Sequence, residues 1–86
     1  MQVNTDKKIV IVAWHDAKFY SGTYKESAIS ECKMALFESV GYLLSVDQTT
    51  TMIAAEANDE KEFRDITLIP TGCIISVKEL TSGPFV

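Results

Sequence analysis

The sequence predicts a mostly β domain, a small five-stranded antiparallel barrel of the SH3-like or Sm-like kind. Three observations point there. Ile9 to Trp14 is an apolar, β-branched run; Cys32 to Val46 alternates with a period of two; and three further short segments are separated by turn residues. Short strands at this spacing suit a small closed barrel. An open meander with a helix on one face is the alternative arrangement.

Ile9-Val10-Ile11-Val12-Ala13-Trp14 is apolar at odd and even positions alike. Both faces of such a strand need cover, from a barrel interior plus a helix or from a partner subunit. His15-Asp16-Ala17-Lys18 ends it, and Phe19 to Thr23 reads as a loop around Gly22. Thr23-Tyr24-Lys25-Glu26 has capping-box spacing, with Thr23 as N-cap and Glu26 at the third helical position. That spacing predicts a short helix from Tyr24 to about Lys33, between the first and second strands. In the second strand, Cys32, Met34, Leu36, Val40, Tyr42, Leu44 and Val46 share the apolar parity, with Tyr42 expected to face the core. Gly41 predicts a bulge or sharp bend, which lets one long strand serve both layers of a barrel. Asp47-Gln48-Thr49-Thr50 is a turn, and Thr51 to Ala57 a return strand with Ile53 and Ala55 inward. The charged loop Asn58 to Glu62 leads to a strand at Asp65–Ile69. Pro70-Thr71-Gly72 makes a tight turn, Cys73 to Val77 is the last strand, and Leu80 is positioned to close the core. All 86 residues form one domain, with residues 8–80 folded and 1–7 and 81–86 as tails.

Composition narrows the chemistry. Hydrophobic residues make up 47% of the chain, too many for a disordered protein. A domain this short buries only about 60–65% of its unfolded surface, so its own core is thin and self-association is expected. The net charge is −4, and Arg64 is the sole arginine. Nucleic acid is therefore a poor partner, since phosphate backbones are held by clustered Lys and Arg. Cys32 and Cys73 lack metal-site spacing and His15 is the only histidine, so no metal or other cofactor is expected. Two buried, unreactive thiols, with no apolar run long enough for a signal or membrane span, suggest a cytoplasmic protein.

Three blocks carry a resemblance. Val12-Ala13-Trp14-His15-Asp16-Ala17 follows V-x-W-x-D-[AS], Ser39-Val40-Gly41-Tyr42-Leu43-Leu44 follows S-V-G-[WY]-L-[VL], and Ile69-Pro70-Thr71-Gly72-Cys73-Ile74 follows I-P-x-x-x-I. Together they resemble a family of small phage-encoded proteins with a small β-barrel. The chain departs from that pattern between Lys18 and Ser39, where the family segment is polar and this one carries Ala28, Ile29, Met34, Leu36 and Phe37. The resemblance implies a phage setting, hence the cytoplasm of an infected host cell. It also implies an anti-defence role, by sequestering a nucleotide-derived immune signal or by blocking a host defence protein.

The residues themselves favour binding over catalysis. His15 and Asp16 are strand neighbours whose side chains diverge, and no elbow serine accompanies them. For a nucleotide-like ligand, Trp14 is the candidate stacking surface, His15 a polar contact, Tyr20 a pocket wall and Arg64 the phosphate clamp. Arg64 can equally pair with Glu62, Asp65 or a neighbouring subunit, and Trp14 can simply pack. The leading expectation is a non-catalytic phage-type binding protein, a homo-oligomer holding a small nucleotide-like signal. A protein–protein inhibitor or adaptor is the alternative, and an Sm-like RNA binder ranks third.

Overall fold

The computed structural model describes residues 5–81. Five strands, β1 Ile9–Asp16, β2 Ala35–Val46, β3 Thr50–Ala57, β4 Phe63–Pro70 and β5 Ile74–Leu80, form one antiparallel sheet in the order β4-β3-β2-β1-β5. The first four form a meander, and β5 returns to pair with β1.

Pairing between β1 and β2 defines the two faces. Val10, Val12 and Trp14 lie opposite Gly41, Ser39 and Phe37 on the inner face; Ile9, Ile11, Ala13 and His15 lie opposite Tyr42, Val40, Glu38 and Leu36 on the outer face. The core is the inner-face cluster Val10, Val12, Ile53 and Ile69, with Trp14, Leu43 and Ile74 packed against it.

The parity expected to point inward along β2 points outward. Tyr42 lies on the outer face, and Leu36, Val40 and Val46 are exposed, as is Met34, which precedes the strand. The cause is steric. A Cβ on Gly41 would stand 2.6 Å from the Ala54 carbonyl oxygen and 3.3 Å from Ile53 Cβ. The inner face at this crossing has no room for a side chain, so Gly41 faces in there, and its parity, Phe37, Ser39 and Leu43, shares the inner face. The register runs unbroken through Gly41 and shifts instead between Leu43 and Ser45 in the β2–β3 pairing, so the irregularity expected at Gly41 lies further along the strand. On β3, Ile53 is buried as expected, but Ala55 is exposed while Ala54 is buried.

The α-helix expected from Tyr24 is a 3-10 turn, Glu26–Glu31, preceded by Lys25 rather than Thr23 and without a side-chain cap. None of its residues is buried, so no packing sustains a longer helix. Leu80, expected to close the core, pairs with Ile9 on the outer face and stays exposed. Both cysteines are free and half-buried rather than buried.

The 3-10 turn Thr71–Cys73 connects β4 to β5, the two opposite edges of the sheet. The edges of a flat five-stranded sheet lie about 19 Å apart, at about 4.8 Å per gap. Pro70 to Ile74 spans at most about 14 Å fully extended. The sheet must therefore curl. Thr71 fixes the junction: its N–H donates to the Thr49 carbonyl at 3.0 Å and its hydroxyl to the Asp47 carbonyl at 2.8 Å. The buried Thr51 hydroxyl meets that of Thr71 at 2.9 Å. Among the described residues no strand ladder joins β4 to β5. No helix among them is long and apolar enough to cross a membrane.

Candidate functional site

The aromatic end of the molecule is built where β1 finishes and β2 begins. Trp14 and Phe37 are cross-strand partners on the inner face, their rings stacked with centroids 5.6 Å apart and planes 29° apart. The indole Nε1–H donates to Ser39 Oγ at 3.0 Å, which satisfies its one polar group. Trp14 is thus half-buried packing and part of an aromatic surface at once, because Phe37 remains 48% exposed beside it.

His15 follows on the outer face opposite Leu36. With Cys32, Lys33, Met34 and Leu36 it lines a shallow crevice of about 550 Å³. Tyr20 is held against the neighbouring chain: its hydroxyl accepts the Lys33 N–H and donates to the Lys33 carbonyl, both at 3.1 Å. The Lys18 ammonium sits 5.0 Å from its ring centroid, and Tyr24 meets it edge-on at 6.3 Å. Lys18, Tyr20, Cys32, Lys33 and Met34 line a second crevice of about 220 Å³.

Arg64 lies elsewhere, near the start of β4. Its Nη2 donates to Glu56 Oε2 at 2.8 Å across the β3–β4 pair, so its partner is Glu56 rather than Glu62 or Asp65. A crevice of about 370 Å³ there is lined by Glu56, Asn58, Glu62, Phe63 and Arg64. It presents two carboxylates beside the guanidinium, a poor setting for an anion.

His15 and Tyr20 therefore come to adjoining crevices that share Cys32, Lys33 and Met34. Trp14 points to the opposite face from His15, and Arg64 belongs to a different hairpin. Sequence reasoning missed Ser39 and Lys33, and it gave Phe37 no place in the site with Trp14. Phe37 and Ser39 belong to the β2 parity that reads as mixed, and only the pairing with Trp14 and Val12 reveals their roles. The exposed apolar side chains at this end, Phe19 at 88% and Leu36 at 64% together with Met34, Phe37 and Ile29, are large and numerous. Among the described residues no group of three His, Cys, Asp or Glu side chains could hold a metal ion.

No family model, no curated protein and no solved structure matches this chain.

Proposed function

We propose that the chain is a non-catalytic binding protein that engages a protein partner through its aromatic end. The observation that carries this reading is the exposed apolar set where β1 ends and β2 begins: Phe37 beside Trp14 on the inner face, Leu36 on the outer face after Met34, and Phe19 in the connecting stretch, whose 3-10 turn buries none of its residues. Exposed large apolar side chains gathered in one region mark interaction surfaces, and aromatic residues and Met are enriched in them. The 18 residues between β1 and β2 form an excursion longer than compact domains ordinarily carry, and long excursions tend to be functional. The strand order, with a single 3-10 turn linking the edge strands, supports reading the curled sheet as a small SH3-like or Sm-like barrel. The resemblance to small phage proteins would make the partner a host defence component.

A photo-crosslinking amino acid at Leu36 tests this in host cells. The expected result is one discrete adduct, lost when Phe19 and Phe37 are both changed to Ser in a chain that keeps its β-rich spectrum. Labelling no stronger than from the same probe at Glu60, on the opposite loop, would overturn it.

A second reading, a sponge for a nucleotide-derived signal, is favoured by the Trp14–Phe37 stack, a ready platform for a base, with the Lys18 and Lys33 ammoniums at the same end of the sheet. Titration with cyclic and ADP-ribose-type nucleotides, read by Trp14 fluorescence, separates the two. Under this reading Trp14→Ala weakens binding by about 1–3 kcal/mol. Arg64 contributes only if a second subunit brings it to the aromatic end.

A further inference from the structure

We propose that the outer face of the sheet is the interface for a second copy of this chain, packed face to face as a two-fold dimer. The register aligns Leu80 of β5, Ile9 of β1, Tyr42 of β2, Ala54 of β3 and Ile66 of β4 in one row that crosses all five strands. The row carries no charge. Ile11 and Val40 extend it on one side, Met52 and Leu68 on the other. Outer-face charges stand at its margins, with Lys78 on β5, Glu38 on β2, and the Glu56–Arg64 pair on β3 and β4. Val40 is 56% and Leu68 59% exposed, and Ile9, Ile66 and Leu80 are exposed as well. An apolar centre with a charged rim is the anatomy of a specific interface.

Area allows a second copy as the occupant. The chain exposes 7143 Å², whereas a compact monomer of 9.5 kDa exposes about 5,000 Å². The excess, about 2,000 Å² per chain over both faces and the β1–β2 excursion, leaves room for a dimer interface of obligate size. Among the described residues, the buried apolar residues of one copy are only Val10, Val12, Ile53, Ala54 and Ile69. A core so small needs cover whenever the chain is folded, and another copy is the one partner always present at synthesis.

The free edge at β4 competes less well. Asp65, the third residue of β4, takes φ 57°, and β4 ends on Pro70, which has no N–H to donate. Both devices blunt an edge against a further strand. The dimer does not depend on the proposed partner-binding end, because it uses the central rows of the sheet.

Sedimentation of the full chain at micromolar concentration is expected to give a dimer. Val40→Lys and Ile66→Lys should each raise its dissociation constant by about 100-fold, as loss of a central apolar anchor does. Filtered nuclear Overhauser spectra on mixed labelled and unlabelled wild-type chain locate the interface even if those variants do not fold. Intermolecular contacts among the methyls of Ile9, Val40, Ile66 and Leu80 are the expected result. A monomer, a dimer unaffected by both folded variants, or intermolecular contacts confined to the β4 and β5 backbones or to Phe19 and Leu36 would each overturn the proposal.

Discussion

Gly41 and Asp47 show how much of the fold can rest on single residues. At Gly41 the obstruction is backbone, the Ala54 carbonyl, which cannot rotate away as a side-chain tip would. Gly41→Ala should cost about 1–3 kcal/mol in urea unfolding, the range for an overpacked site, and Gly41→Val at least as much. An unchanged midpoint for the valine variant would contradict the close crossing. The need for glycine is legible in the sequence; the side from which Ala54 approaches is not, because it follows from how β2 and β3 shift past one another. Asp47 takes the Thr50 N–H at 2.7 Å and the Thr49 N–H at 2.8 Å on one carboxylate oxygen. These bonds, Thr50 first and Thr49 second, hold its pKa below the ordinary value of 3.8. A depressed folded-state pKa gives stability that is present above the unfolded value and lost as pH falls through the folded one. The β2–β3 turn should therefore loosen as pH drops below about 3.8, the unfolded value. Chemical shifts of the Thr49 and Thr50 amides, followed by acid titration, check this. Asp47→Asn should remove their common titration step.

Among the connecting elements, two illustrate opposite outcomes of sequence reasoning. The Asn58 to Glu62 loop is legible as a charged turn, but its template is not. Asn58 Oδ1 accepts the Glu60 and Glu62 N–H groups at 3.0 and 2.9 Å, and its own N–H and Nδ2 bond back to Glu62. That tight closure places Lys61 at φ 60°, where an L-residue other than Gly or Asn is strained. Lys61→Gly should stabilise by about 0.5 kcal/mol, the relief of left-handed strain less the entropy of glycine. A lowered melting temperature would count against the loop geometry. The stretch between β1 and β2 has capping-box spacing and apolar residues, yet forms one 3-10 turn. Local spacing nominates a helix, but burial decides whether it lasts, and nothing packs on this one. Its anchor is the Tyr20 hydroxyl. Tyr20→Phe should speed amide exchange at Lys33 and shift global stability by no more than about 1 kcal/mol, the net worth of a partly exposed hydrogen bond.

The whole molecule is extended for its length. Its radius of gyration is 17.2 Å, where a compact 86-residue domain has about 12 Å. Strand number, order along the chain and turn positions are legible from periodicity and turn residues, since those are local. Which face of β2 turns inward, and that the Trp14 end and Arg64 lie on different hairpins, depend on pairing between distant segments. If folding and association are coupled as proposed, the melting temperature should rise with protein concentration, because mass action favours the associated native state. A melting temperature constant from low to high micromolar concentration would show that one copy is sufficient.

The return of β5 to β1 sets an order of events during synthesis. β1 through β4 can pair one after another as the chain leaves the ribosome, each strand meeting a neighbour just made. The outer flank of β1 stays bare until Ile74–Leu80, the last strand of the sheet, has emerged. Until then Ile9 to Asp16 offers an open strand edge to any passing chain. A nascent chain arrested on an appended linker with Pro70 outside the ribosome and Ile74–Leu80 still in the exit tunnel should hold four strands and recruit chaperone, and one arrested with Leu80 fully outside should release it.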